Sequence, residues 1–342
     1  MPYPPTIREE KPKNRVAAGM FPLFNDARTI CTMAIVAIVL AMQTWAVVMP
    51  QDLRQETVGG VSWSYVIEDG CAKVTNTGMT PAIDPLTTGA VVVPDTLGSC
   101  PVTAIGSYAF YQMTGLTSLA IPDGVEEIEY YACRGCTNLE SVSLPSTLTT
   151  MGNAVFSDCQ SLKVGHIPDS VTSMGRDTFW GCTSMTSVKF SANVASLDAM
   201  TCYNCDSLTS VEIPAGVTNI GISAFLNCDN LRSISIPDTV ETIGNYAFDN
   251  CVSLESLELP SGLTVLNTCF TGCPLLETMR IPANVSSIAP RVFYGCTAMT
   301  NIVVDSANRS FKSVDGILYD ITGTELVGWP YGCAFTAIPE GV

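Results

Sequence analysis

Apolar side chains recur along residues 125–299 at intervals of 23 residues, with a single interval of 22. A unit of this length cannot bury its apolar face alone, so stacked units must place each apolar column against its own copies. Three columns show this repeat: Val125, Leu148, Val171, Val194, Val217, Val240, Leu263 and Val285; Ile128, Met151, Met174, Leu197, Ile220, Ile243, Leu266 and Ile288; and Phe156, Phe179, Phe225, Phe248, Phe270 and Phe293. The pattern predicts one continuous core.

Each unit contains a predicted strand. Residues 233–236, Ser-Ile-Ser-Ile, alternate polar and apolar positions, which indicates a strand with one buried face. Pro237 ends this strand because proline has no N–H for the sheet. The later A-F-x-x-C segment, residues 247–251, predicts a short helical turn on the opposite side. The expected fold is therefore an α/β solenoid of 23-residue coils with a parallel β-sheet face. Gly165 takes an apolar strand position, which predicts a weak coil there.

A long apolar segment lies near the N-terminus. Residues 29–48 carry no charge and, as a helix, would be about 30 Å long, enough to cross a bilayer core. Residues 1–28 carry five cations and three acids, so the positive-inside rule leaves this tail in the cytoplasm and exports the rest. The segment is interpreted as a retained transmembrane anchor, as a cleaved signal peptide or as a buried core helix.

The repeated units resemble a known family. The segments IPDGVEEIEYYACRGCTNLESVSLP and IPDTVETIGNYAFDNCVSLESLELP are similar to BspA-like leucine-rich repeats. The resemblance implies a repeat solenoid that works as a surface or secreted module for adhesion and protein binding. The expected organisation is a polar tail or signal n-region, an apolar helix, a linker with a capping segment, the solenoid, and a hairpin-type irregular repeat followed by an incomplete coil. These occupy residues 1–28, 29–48, 49–92, 93–304 and 305–342.

Composition excludes several function classes. The chain has 16 Lys and Arg against 32 Asp and Glu, for a net charge of −16, which argues against nucleic acid as a partner. The single histidine, His166, has no acid beside it in the predicted sheet, so a catalytic triad is not expected. No phosphate-binding loop, nucleophile elbow or zinc-protease motif is present. We therefore expect a non-enzymatic protein without metal or cofactor.

The chain contains 15 cysteines, and most follow the repeat. The purely structural interpretation is a buried column of small apolar side chains, because free cysteine is among the most buried residue types. A second interpretation is a pair of disulfides, Cys133–Cys136 and Cys202–Cys205, since export favours oxidation and each extra cysteine replaces a column phenylalanine. One zinc ion cannot join the two pairs, because three coils separate them by about 14 Å.

The outward positions of the predicted sheet form the candidate binding face. Strand alternation gives a trailing row at the strand ends, a leading row at the strand starts, and a row of serine and threonine between them. We expect a protein or glycoprotein partner to contact His166, Lys189, Glu212, Glu258 and Arg280 of the trailing row and Lys163, Arg232 and Glu255 of the leading row. The alternative is a structural stalk whose working domain lies beyond residue 342. Oligomeric state is not predicted.

Overall fold

The computed structural model describes residues 52–333, and the segments expected at 1–28, 29–48 and 334–342 lie outside this range. The described residues contain 25 strands. In chain order these are β1 Arg54–Val58, β2 Val61–Glu68, β3 Cys71–Val74, β4 Gly89–Val92, β5 Thr96–Leu97, β6 Cys100–Ile105, β7 Leu116–Ala120, β8 Glu127–Ile128, β9 Ser141–Ser143, β10 Thr150–Met151, β11 Val164–His166, β12 Ser173–Met174, β13 Ser187–Lys189, β14 Ser196–Leu197, β15 Ser210–Glu212, β16 Asn219–Ile220, β17 Ser233–Ser235, β18 Thr242–Ile243, β19 Val265–Leu266, β20 Thr278–Ile281, β21 Ser287–Ile288, β22 Asn301–Val304, β23 Phe311–Val314, β24 Ile317–Asp320 and β25 Leu326–Gly328.

The repeat folds as a parallel β-solenoid. The strands before each proline position build the front sheet, which has three pieces: β4-β7-β9, β11-β13-β15-β17 and β20-β22. Shorter strands build a second sheet in the pieces β1-β2-β3-β6-β8-β10-β12, β14-β16-β18 and β19-β21. Ser187 pairs with Ser210 and Ser210 with Ser233, so the parallel register equals the 23-residue sequence period. This confirms the predicted parallel sheet face.

The predicted helical turn is wrong, because the described residues contain no helix and the α part of the expected α/β class is absent from them. Most turn segments have two residues with left-handed backbone, for example Met200 (φ 56°) and Asn204 (φ 56°). Residues in this conformation cannot continue a right-handed helix. The turn N–H groups instead bond to the next coil, as from Cys202 N to the Ala224 carbonyl at 2.7 Å.

The three apolar columns form the core as predicted, with nearly every member buried. The phenylalanine column stacks ring on ring: Phe225 and Phe248 lie 5.5 Å apart at 1°, and Phe248 and Phe270 lie 5.6 Å apart at 5°. Dispersion between such surfaces is small for each atom pair but large over a whole column. The repeated side chain therefore stabilises the contact between coils as well as the coil itself.

The second sheet begins with an antiparallel meander rather than an open parallel edge. Strands β1, β2 and β3 pair antiparallel, and β3 then joins β6 in parallel. Trp63 and Tyr65 of β2 are buried, and the Trp63 ring lies edge-on to Phe110 at 6.3 Å. The first parallel strand of the array is thus covered by the chain's own residues, which limits edge-to-edge association.

A hairpin lies within residues 305–342, the segment expected to hold a hairpin-type irregular repeat. Strands β23 and β24 pair antiparallel with Val314 opposite Ile317, so Asp315 and Gly316 alone form the turn. Both have positive φ, 52° and 79°, as a tight two-residue hairpin turn requires. Strand β25 adds to β24 and completes a three-stranded sheet.

The front sheet is interrupted between β9 and β11, at the coil that contains Gly165. Strand β11 still pairs in register with β13 on its other side. An added Cβ on Gly165 would lie 3.0–3.1 Å from side-chain atoms of Phe179, Met185 and Val188, which fill the space of the missing side chain. The interruption agrees with the weak coil that this glycine predicts.

Within residues 52–333, no helix is long and apolar enough to cross a membrane.

Candidate functional site

The trailing row lies at the carboxyl ends of the front-sheet strands, and its side chains are exposed from His166 to Arg280. Glu258 is the exception in backbone structure, because its coil forms only an isolated bridge, from Ser256 to Ser233, between β17 and β20. His166 stands beside Lys189, and Glu212 beside Ser235, in parallel register. Inward neighbours such as Val188 and Val211 are buried, so alternation fixes the outward direction of these side chains. The structure therefore places the five predicted trailing-row residues on one surface.

The charges of this row lack ion-pair partners in the part of the chain that the structure describes. Among residues 52–333, Lys189, Glu212, Glu258 and Arg280 form no ion pair. Neighbouring strands of a sheet lie about 4.8 Å apart, so the row presents unpaired charges of both signs at close intervals. Such an arrangement favours a partner with a complementary charge order.

Two shallow grooves follow the trailing row where the strands meet their proline turns. Lys189 and Glu212 line the first, together with Phe190 and Pro214. Glu258 and Arg280 line the second, together with apolar residues that include Leu259, Ile281 and Val303. The charged side chains thus flank recesses with apolar floors, which can admit side chains of a bound protein.

Side chains of the leading row form hydrogen bonds and an ion pair with neighbouring coils, unlike the charged side chains of the trailing row. Lys163 Nζ lies 2.5 Å from Glu140 Oε2, the one ion pair of the front sheet in the described residues. Thr186 and Thr209 each donate a hydroxyl hydrogen bond of 3.3 Å to the carbonyl of the preceding coil. Arg232 and Glu255 are exposed and have no ion-pair partner among residues 52–333. Lys163 is therefore less available to a partner than those two.

The column cysteines act as hydrogen-bond donors. Each thiol from Cys136 to Cys296 donates to a backbone carbonyl of the preceding coil, at 3.0–3.2 Å. A thiol is a small apolar group with a weak donor, so it fills the core and satisfies a buried carbonyl at once.

The structure does not form the two expected disulfides. Cys133, Cys136, Cys202 and Cys205 are all free and buried. The Cys136 thiol donates to the Phe110 carbonyl, and the Cys205 thiol to the Phe179 carbonyl. Where the phenylalanine column is interrupted, the additional thiol is packed as a core side chain.

Thiol counting on the unreduced native protein is expected to detect Cys71, Cys100 and Cys333 and to miss the buried column. Burial raises the pKa of Cys136 and of Cys251 to about 12, which leaves the unreactive neutral thiol at about pH 8. Denaturant should then expose all fourteen cysteines of the described residues. A shortfall of two or four thiols after unfolding would instead show disulfides.

The acids, cysteines and single histidine of the described residues do not form a metal site. No group of three or more His, Cys, Asp and Glu residues within 52–333 could hold a metal ion. His166 is exposed on the trailing row, with Lys189 as its strand neighbour, and makes no ion pair in that range. To act as the base of nucleophilic catalysis, a histidine needs a nucleophile and an orienting acid within reach, and the strand neighbour of His166 is a cation instead.

A second exposed surface, on the turn segments, was not predicted. Tyr108, Tyr111, Tyr130 and Tyr131 form a cluster in which the Tyr108 ring lies 5.3–5.5 Å from the other three. Tyr130 is 47% exposed. The sequence did contain a signal, because Tyr131 follows Tyr108 by the repeat length. The expected helical turn gave no reason to align these positions as outward columns.

Comparison with known proteins gives one family match. The model described as "BspA type Leucine rich repeat region" matches residues 103–232 and 218–314, in six copies, which is more than half of the chain. No curated protein matches the sequence.

Three solved structures are similar in sequence to the chain. A leucine rich cell surface protein from Faecalibacterium prausnitzii A2-165 is 24% identical over 75% of this chain and 90% of its own, with a TM-score of 0.40. A leucine-rich repeat protein from Bacteroides ovatus ATCC 8483 is 20% identical over 72% and 94%, with a TM-score of 0.36. The pneumococcal vaccine antigen PcpA is 18% identical over 76% and 84%, with a TM-score of 0.40.

Proposed function

The chain belongs to the BspA-type leucine-rich repeat family, and on this premise we propose that it is an exported, non-enzymatic protein that binds a protein or glycoprotein through its front sheet. The observation that carries the proposal is the trailing row. Four of its charged side chains, Lys189, Glu212, Glu258 and Arg280, stand exposed without ion-pair partners among residues 52–333.

The front sheet is suited to recognition by its rigidity. Its outward serine row, from Ser187 to Ser256, has short side chains that lose little conformational entropy when a partner covers them. The charged rows flank this strip on both sides. A partner would therefore find a preorganised polar strip with charges at its borders, extended along the repeat.

Export is supported by the order of charge and apolar residues at the N-terminus. Five cations precede the uncharged segment 29–48, and the acids Asp52 and Glu56 follow it. A retained segment would anchor the repeats at the cell surface, whereas a cleaved one would release them. Both arrangements place the front sheet outside the cytoplasm.

Protease treatment of intact cells, followed by mass spectrometry, is expected to release peptides from residues 60–333. A retained anchor predicts that residues 1–28 stay protected until the cells are lysed. A cleaved signal predicts a mature protein that lacks the residues before about 47. If the repeats are cut only after lysis, the export proposal fails, and with it a role in adhesion.

A further inference from the structure

A groove crosses several coils on the turn side, away from the front sheet. It is lined by Asp158, Gln160, Trp180, Gly181, Thr183, Asn204, Asp206, Asn227, Asp229 and Asn250. These residues belong to two columns of the repeat, one at the second left-handed turn position and one two residues later, with Trp180 beside them. We name this surface the turn groove.

The turn groove carries uncompensated negative charge. Asp206 and Asp229 occupy the same column in adjacent coils, and neither forms an ion pair with any residue of 52–333. Partial burial and the neighbouring Asp229 carboxylate raise the pKa of Asp206. Like charges held this close favour a cation placed between them.

The floor of the turn groove is a ladder of asparagine amides. Asn227 donates from Nδ2 to Asn204 Oδ1 at 2.8 Å, and Asn250 donates in the same way to Asn227 at 3.0 Å. An amide has two N–H donors and two acceptor lone pairs, so the ladder leaves each amide able to bond a ligand. Donors and acceptors together suit the backbone of an extended peptide.

One end of the turn groove already holds a guanidinium group. Arg134 Nε lies 3.4 Å from Asp158 Oδ2, and its Cζ lies 5.6 Å from the Trp180 ring centre and 5.3 Å from that of Tyr131. A cation over an aromatic face and beside a carboxylate is bound by both. The contacts of Arg134 thus show that this end of the turn groove can hold a guanidinium group.

A buried hydroxyl beneath that end lacks a partner. Ser157 lies in the turn column between Arg134 and Trp180, whose side chains meet across its coil, and it is fully buried. Its Oγ has no hydrogen bond in the structure. A buried polar atom without a partner is costly, so the chain's own groups within residues 52–333 leave this end of the turn groove incompletely hydrogen-bonded.

We propose that the turn groove is a second binding site, which takes an extended segment rich in arginine and lysine from a partner protein. The segment's backbone would bond the amide ladder. Its cationic side chains would lie beside Asp206 and Asp229 and, at the other end, displace Arg134 from Asp158 and Trp180. This site is separate from the front sheet and does not depend on the function proposed for it.

The test measures binding of a fluorescently labelled hexa-arginine peptide to the full chain, kept in a non-ionic detergent because residues 29–48 are apolar. Replacing both acids (D206N/D229N) should weaken binding about 10-fold or more, because charged pairs at an interface are lost. Arg134→Ala should strengthen it several-fold, since it removes the internal competitor. Hexa-lysine should bind more weakly than hexa-arginine, because its compact ammonium group stacks less well on Trp180.

Matched variants separate this site from general attraction to an acidic protein. Glu127 and Glu241 are exposed on or beside the second sheet, so E127Q/E241Q removes the same charge elsewhere and should leave hexa-arginine binding unchanged. Arg309→Ala likewise controls for Arg134→Ala. If E127Q/E241Q weakens hexa-arginine binding as much as D206N/D229N does, the proposal is overturned. It is also overturned if D206N/D229N does not weaken that binding. Binding of neutral chitohexaose that is lost in Trp180→Ala, without binding of hexa-arginine, would overturn it in favour of a glycan site.

Discussion

Replacing Phe248 with alanine is expected to lower the free energy of unfolding by about 3–5 kcal/mol, the usual cost of removing a buried phenylalanine. Phe248 stacks between Phe225 and Phe270, at 5.5 and 5.6 Å, and is fully buried. The substitution therefore leaves a cavity that faces the coils on both sides. Because each coil is stabilised by its neighbours, the loss of stability should extend beyond the coil that carries the substitution.

Urea unfolding followed by circular dichroism measures this cost, and hydrogen exchange locates it. A repeat array can lose its cooperativity, so amide protection of the flanking coils should be followed alongside the midpoint. Val252→Ala is the matched control in the same coil, because Val252 is exposed and should change stability by less than about 0.5 kcal/mol. Equal effects of the two substitutions would contradict the stacked core.

Removing the four unpaired charges of the trailing row is expected to weaken partner binding about 100-fold or more, since interface residues that dominate binding cost about 2 kcal/mol each. The variant is K189A/E212A/E258A/R280A. It removes two cations and two acids, so the net charge stays at −16. All four side chains are exposed, and the fold should be preserved because such surface changes cost little.

A control variant with the same charge change separates recognition from bulk electrostatics. E127A/E241A/R176A/R309A removes two acids and two cations that are exposed away from the front sheet. It should bind the partner as the unaltered chain does, in a titration of the purified protein against cells or immobilised partner. If the trailing-row variant binds the partner as well as the unaltered chain does, the front sheet is not the recognition surface. That result would favour the alternative, a structural stalk.

Much of the fold follows from the repeat length. A fixed 23-residue period aligns Val188 with Val211 and Ile234, and the structure pairs these residues in parallel register. Strand alternation likewise placed Lys189 and Glu212 outward. Both inferences depend on local periodicity, which an amino-acid sequence displays directly.

The turn segments could not be predicted in the same way. Alanine and phenylalanine at positions such as 247 and 248 are compatible with a helical turn, but left-handed backbone at Tyr246 and Asn250 excludes it. Tyrosine rarely takes this conformation, so no local rule identifies that position. The turn groove was missed for this reason, because its columns face outward only when those residues are left-handed.

The cysteines show what packing adds to interpretations that composition leaves open. Fifteen cysteines in a chain expected to be exported suggested disulfides. In the structure the column thiols each donate to a carbonyl one coil away, and Cys133 and Cys136 are both free and buried. Only the stacked coils show that a thiol has a role in bonding one coil to the next.

Photo-crosslinking from the trailing row tests most directly whether the front sheet is the recognition surface. A photoreactive residue at Ser235, exposed next to Glu212, is compared with one at Ser173, exposed on the second sheet. The account predicts one defined protein adduct from position 235, competed away by the unaltered chain but not by K189A/E212A/E258A/R280A, and no such adduct from position 173. Equal adducts from both positions, or none from position 235, would contradict it.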